Sequence, residues 1–180
     1  MKVYRTFCAA LAGAGFMVWA SYAQAVLIDF ESFTAPTTIT AGTDVMGLTF
    51  DQNISVQFSP SSFPASTGNQ GIAPGFGDFS GSFSQAVASL SIAAGDAGGD
   101  IDSVTLIGYD ALDQIVDSDS FTANVGQILS ISGTGIIRFE VQQFGAIVFD
   151  NIFTVRHAGG GPCDPATLHE LIKSLISKTK

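Results

Sequence analysis

Apolar side chains recur with a period of two through most of the chain, in short runs broken by Gly, Pro, Asp, Asn and Ser. That is the pattern of strands with one face turned to a core. The runs predict ten strands, over 26–31, 45–50, 54–58, 78–83, 87–93, 102–109, 114–121, 127–132, 136–142 and 147–155. Alternation sets the facing: Ile28 and Phe30 lie opposite Asp29 and Glu31, Leu90 and Ile92 opposite Ser89 and Ser91, Leu129 and Ile131 opposite Ser130 and Ser132, and Ile137, Phe139 and Val141 opposite Arg138 and Glu140. No helical pattern separates the runs, so the fold expected is all-β, an antiparallel β-sandwich or jelly roll.

The tightest turn lies between Tyr109 and Gln114, where two β runs meet across a short connection flanked by Asp110 and Asp113. Asp117 and Asp119 beyond it read as solubilising charges. Residues 59–77 carry Pro60, Pro64 and Pro74 among Gly and Ser and read as a long surface loop, folding back through Phe63, Ile72 and Phe76. The sandwich is expected to occupy residues 26–157, followed by a glycine-rich linker over 158–163. Residues 164–180 then change character: Asp164 and Pro165 form a helix start, and Leu168, Leu171, Ile172, Leu175 and Ile176 follow at helical spacing. This short amphipathic tail helix is expected to dock on its own sandwich, on a partner chain or on a membrane surface.

At the other end, Lys2 and Arg5 precede an apolar run from Phe7 to Trp19, and Ala23, Gln24 and Ala25 close it. Residues 1–25 thus read as a secretory signal peptide cleaved after Ala25, which predicts an extracellular protein. Composition then narrows the function. Sixteen acidic and seven basic residues give a net charge of −9, and loss of Lys2 and Arg5 would leave 5 − 16 = −11. A chain this acidic is not built for a nucleic-acid backbone. Of the two cysteines, Cys8 leaves with the leader, so Cys163 has no intramolecular partner and stands either as a free thiol or as an interchain disulfide that would make a homodimer.

Candidate chemistry sits mainly on oxygens. Asp29 and Glu31 share one side of the first strand, and Asp150 with Asn151 lies near the end of the last; terminal strands of a sandwich often meet, and converging oxygens suit Ca²⁺. Asp96, Asp100 and Asp102, spaced by glycines, form a second candidate metal loop or a plain acidic turn. His157 and His169 stand near no nucleophile elbow, so a catalytic triad is not expected. A pair of carboxylates for glycan cleavage remains formally available, whereas Arg138 and Glu140, two residues apart, read as a surface ion pair. Phe63, Phe76 and Phe79, in and near the long loop, are the candidate glycan contacts.

Five segments together resemble secreted bacterial jelly-roll domains of the type common in PEP-CTERM-sorted extracellular proteins: Ile28-Asp29-Phe30-Glu31, Gly47-Leu48-Thr49-Phe50, Ser103 to Asp110, Gly135 to Glu140, and Phe149-Asp150-Asn151-Ile152-Phe153. Such domains are similar in shape to calcium-stabilised carbohydrate-binding jelly rolls, and the resemblance implies an ion held by Asp29, Glu31 and Asp150. The Pro-Glu-Pro sorting tail itself is missing. The function expected is therefore a secreted, non-catalytic, calcium-stabilised β-sandwich for cell-surface or extracellular-matrix interaction or assembly. The alternatives are a carbohydrate-binding module with a polysaccharide partner and, third, a glycan-cleaving enzyme.

Overall fold

The computed structural model describes residues 24–58, 69–96 and 100–156. They form eleven strands: β1 (Gln24–Ile28), β2 (Thr37–Ile39), β3 (Asp44–Val45), β4 (Leu48–Phe50), β5 (Ile54–Phe58), β6 (Gln70–Ala73), β7 (Phe79–Asp96), β8 (Asp102–Tyr109), β9 (Ile115–Ala123), β10 (Gln127–Phe144) and β11 (Ile147–Arg156). Every pairing is antiparallel. No helix occurs among the described residues, and the tail expected to be helical lies outside them.

Two long strands set the architecture. β7 and β10 pair with each other in two stretches, 127–136 of β10 with 87–94 of β7, and 138–141 with 79–82. Around the second stretch β4 adds to β7, and β8 then β9 add to β10. Around the first, β11 adds to β7, and its far edge is shared by β6 at Phe149 and by β1 at Ile152–Arg156, with β5 and β2 beyond β6. The two strands thus run through both halves of one continuous sheet that wraps the main core, and a small second cluster, Ala93 and Val148 with Ala73 against them, lies apart from it.

The crossing is marked by register shifts between Ser132 and Ile136 and again between Ile136 and Arg138. β10 bulges first, around Gly135 at φ 81°, and β7 then takes up its own extra residues between Phe83 and Val87. The slip explains one departure from the sequence pattern: Ile136 is buried and Ile137 only partly so, while Phe139 and Val141 face inward as alternation predicts. Phe79 joins the two halves, its ring centroid 5.0 Å from that of Phe149 and 6.1 Å from that of Phe139, both edge-on. Gly108 of β8 is needed at the same closure, because a Cβ there would stand 2.6 Å from Ile131 Cδ1.

Sequence and structure differ at identifiable points. The strand expected over 45–50 is a hairpin, β3–β4, turned by Met46 at φ 56° and Gly47 at φ 87°, with Asp44 Oδ1 accepting the Gly47 N–H at 3.0 Å. The expected loop 59–77 contains β6, whose Ile72 is core, whereas Phe76 does not fold back. Asp110 does make the β8–β9 turn, accepting the N–H groups of Leu112 at 2.8 Å and Gln114 at 3.0 Å. Asp117 and Asp119 are more than solubilising charges: they accept the backbone N–H groups of Ser132 and Ser130, each at 2.8 Å, on the side of β10 that β7 leaves free. Side chains rather than a ladder close the sheet there.

This packing predicts that Phe139→Ala lowers unfolding stability by about 3–5 kcal/mol, whereas Phe144→Ala, on the same strand but outside the core, changes it by less than about 0.5 kcal/mol in urea titration. Equal losses for the two would contradict the assignment of facing.

Candidate functional site

The second half of β10 turns Arg138, Glu140, Gln142 and Phe144 away from the core. Their register neighbours on β8 are Tyr109, Ile107, Thr105 and Ser103. On the β7 side Ser82 stands opposite Arg138 and Ser80 opposite Glu140. From Arg138 to Phe144 the strand covers about 20 Å, a polar strip ending in an aromatic ring.

Lateral bonds order the strip. The Arg138 guanidinium lies 3.8 Å from the Tyr109 ring centroid and donates to Asp113 Oδ1 from Nε at 3.3 Å and from a terminal nitrogen at 3.0 Å. Tyr109 donates its hydroxyl to Glu140 Oε2 at 3.1 Å, and Gln142 Nε2 donates to Glu140 Oε1 at 2.8 Å. On the neighbouring strand the Ser80 hydroxyl donates to Asp51 Oδ2 at 2.6 Å. Loss of solvent on burial, and then the hydrogen bond and charge of Glu140, raise the Tyr109 pKa above 10, and the Arg138 charge opposes them. The expected Arg138–Glu140 ion pair is not formed, because Arg138 reaches across to Asp113 and Glu140 takes Tyr109 and Gln142 instead.

Two open cavities lie on this strip. One, of 160 Å³, is lined by Gln52, Asp78, Phe79, Ser80, Arg138 and Glu140. The other, of 230 Å³, is lined by Asp78, Ser103, Thr105, Gln142, Gln143 and Phe144. Asp78 belongs to both, fixed by accepting the Gln143 N–H at 2.9 Å. Gln143 Nε2 in turn donates to the carbonyls of Gly75 at 2.9 Å and Gly77 at 2.6 Å. That clamp holds Phe76, 83% exposed, on a loop tied to the residue preceding Phe144, itself 79% exposed.

Residues expected from sequence to carry function are distributed differently. β1 pairs with β11 as far as Ile28↔Ile152, so Asp29 and Phe30 leave the ladder beside Asn151 and Asp150. Phe30 at φ 56° and Asn151 at φ 48° both adopt left-handed backbone there. Asp150 is wholly buried and accepts the Asn151 N–H at 2.7 Å. Glu31 Oε1 accepts the N–H groups of Asn69 at 2.9 Å and Gln70 at 2.7 Å, which stitches the exit of β1 to the start of β6. Among the described residues no group of three or more Asp, Glu, His or Cys side chains is gathered to hold a metal ion.

Of the second acidic group, Asp100 is exposed, Asp102 is buried against Gly145, and Asp96 ends β7. Phe79 needs correction as a glycan contact: it is 2% exposed and packs among Phe50, Phe139 and Phe149, because β7 begins with that side chain inward. Phe63 and Cys163 lie outside the described residues. The predicted leader cleavage after Ala25 falls within β1, whose first two ladder pairs are Gln24↔Arg156 and Ala25↔Val155. Sequence reasoning missed Phe144 and Gln142 as site residues. Their signal was the continued alternation Arg138, Glu140, Gln142, Phe144, which ends in an aromatic residue on the polar side.

The sequence matches no family model and no curated protein. Among solved structures it is similar to a family 6 carbohydrate-binding module at 13% identity and a TM-score of 0.36, covering 73% of this chain and 93% of that one. A carbohydrate-binding module from Clostridium stercorarium in complex with cellobiose matches at 10% identity and a TM-score of 0.35, with the same coverages of 73% and 93%. The K2 cleaved adhesin domain of Lys-gingipain matches at 15% identity and a TM-score of 0.36, covering 72% and 98%.

In a chain beginning at Val26, Tyr109 is the only tyrosine, so absorbance of tyrosinate reads this site alone. Its midpoint is expected above 10; Glu140→Gln lowers it and Arg138→Ala raises it. Because the folded pKa lies above the unfolded one, the associated stability is fully present below pH 10 and is lost as pH rises through the folded value. A midpoint unmoved by Glu140→Gln would break the network.

Proposed function

We propose that this protein is a secreted, non-catalytic binding domain whose ligand is a glycan laid along β10. The observation that carries the reading is the strip itself, where hydroxyl, amide and carboxylate groups stand pre-ordered on strands, with exposed Phe144 and the clamped Phe76 loop at one end. Sugars present hydroxyls to polar groups and C–H faces to aromatic rings, so both kinds of group on one open surface suit a polysaccharide chain better than an enclosed small molecule. Position on rigid strands lowers the ordering cost of binding. Attachment to a cell surface or matrix follows from that ligand and from the predicted leader.

Sedimentation with insoluble polysaccharides tests the reading. Binding is expected to weaken about tenfold in Phe144→Ala and in Phe76→Ala, and to stay unchanged in Phe58→Ala, another exposed ring (71%) on β5. Binding should occur without release of reducing ends. Release that Asp78→Asn or Glu140→Gln abolishes would instead favour glycan cleavage, since these two carboxylates share a cavity.

We also propose Ca²⁺ as a stabilising ion at the β1–β11 junction, with Asp29, Asp150 and Asn151 as its side-chain ligands and backbone carbonyls completing the shell. The support is the end of the β1–β11 ladder at Ile28↔Ile152, from which Asp29 and Asn151 both continue, and the burial of the Asp150 carboxyl. At about 100 times its dissociation constant the ion would add roughly 2.7 kcal/mol and raise the thermal midpoint by several degrees. A midpoint equal in chelator and in millimolar Ca²⁺ removes the ion.

A further inference from the structure

We infer that the C-terminal segment 164–180 folds back as a helix onto the outer face of its own sheet, in a trough over β7 between β11 and β10. Beyond Asn151, left-handed at φ 48°, β11 turns Ile152 and Thr154 into the core and Phe153 outward. Phe153 stands directly opposite Leu27 of β1, and the two are 40% and 43% exposed. The β7 neighbour of Phe153 is Ser91, whose partner on β10 is Ser130; Ser89 extends this face toward Arg156, and Ile128, 50% exposed, extends it the other way. Apolar side chains thus rise on β1 and β11 and again on β10, with short serines on the floor between them. Because β11 and β10 flank β7, these walls stand about 10 Å apart, the diameter of a helix. The Ser91 and Ser130 hydroxyls bond to each other at 2.8 Å, which lowers the cost of an apolar cover.

The chain itself supplies the occupant. β11, one wall of the trough, ends at Arg156, and the stripe Leu168, Leu171, Ile172, Leu175 and Ile176 follows within twenty residues. A helix this short draws its stability from packing such a face. From Arg156 to Asp164 the chain spans at most about 29 Å, and Gly159, Gly160 and Gly161 let it reverse, so that the helix runs antiparallel to β11. Residues 165–178 make a helix of about 21 Å, against about 23 Å of β7 from Val87 to Ala94 beneath it.

Charge sets the same direction. At the entrance Arg156 donates to the Met46 carbonyl at 3.3 Å, and among the described residues it has no carboxylate partner. The first half of the tail brings Asp164 and Glu170 there, and the second half carries Lys173, Lys178 and Lys180 toward the end where Asp29 and exposed Glu31 follow β1. A tether this short holds the stripe at a roughly millimolar effective concentration over its own sheet, which favours that face over a second copy or a membrane.

The test is paramagnetic quenching of backbone amides in the isotopically labelled full chain, with Cys8→Ser and Cys163→Ser and a nitroxide attached at Thr167→Cys or Ser177→Cys, both off the apolar stripe. The label at 167 is expected to remove the signals of Ser89 and Val155, and the label at 177 those of Ala93 and Ile128, while Ser103–Tyr109 keep theirs. Leu171→Ser with Leu175→Ser, both in the tail, should abolish the quenching from either position. Leu27→Ser with Phe153→Ser should do the same from the other side of the contact. No localised quenching, quenching centred on another face, or the two labels acting in the reverse order overturns the inference. So does quenching that survives the tail substitutions, and so does quenching seen only when the nitroxide is carried by a second, unlabelled copy of the chain.

Discussion

The paired course of β7 and β10 is the constraint on which the rest of this structure depends. Each strand is eighteen residues long, and their ladder is interrupted only where both must bend. Because the two strands belong to both halves of the sheet, the register of one half is tied to the register of the other. The bulge around Gly135 and the extra residues of β7 absorb the bend, and the core closes through Phe79, whose ring touches Phe139 on one side and Phe149 on the other. Slippage by one residue on either strand would turn the buried phenylalanines outward and the polar strip inward.

The candidate site follows from that register. Arg138, Glu140, Gln142 and Phe144 can line up only because Phe139 and Val141 between them are anchored in the core. Lateral bonds then convert a row of flexible polar side chains into a fixed surface: Asp113 and Tyr109 hold Arg138, while Tyr109 and Gln142 hold Glu140. The β8–β9 turn supports the same end of the strip, since Asp113 sits in that turn at φ 56°. Gln143, on the opposite side of β10 from Gln142, ties down the loop that carries Phe76 and Asp78. Fold and site therefore share one element, and the residues that stabilise β10 also pre-order the surface it displays.

Much of the fold was legible in the sequence where alternation ran unbroken. β5 and β8 have the predicted limits, since neither contains a turn residue that breaks the period. β7 and β10 each read as two strands, because Ser and Gly at their bends resemble turns when the partner strand is unknown. The β3–β4 hairpin was hidden for the opposite reason: Met46 is apolar and kept the alternation alive through a two-residue turn. β2 and β6 are short and poor in large apolar residues, so their pairing rather than their pattern defines them. The site was less legible still. Tyr109 and Arg138 are far apart in sequence and meet only through the β8–β10 register, and Arg138 finds Asp113 rather than Glu140 because cross-strand reach decides the partner. Phe79 and Phe76 look alike by composition, yet one is core and the other solvent-exposed, a difference set by which face of β7 its first residue takes.

The proposed ligand surface is the outer face of the second half of β10, with its neighbours on β7 and β8. Its most direct test is a map of backbone amide shifts in the isotopically labelled protein as a soluble chito-oligosaccharide is added. The shifted amides are expected to cluster in Arg138–Phe144, Ser103–Tyr109 and Asp78–Ser82, and the Tyr109 ring resonances to move with them. Shifts confined to the other half of the sheet, around Ser89, Ser91, Ser130 and Ser132, or no shifts at saturating oligosaccharide, would contradict it.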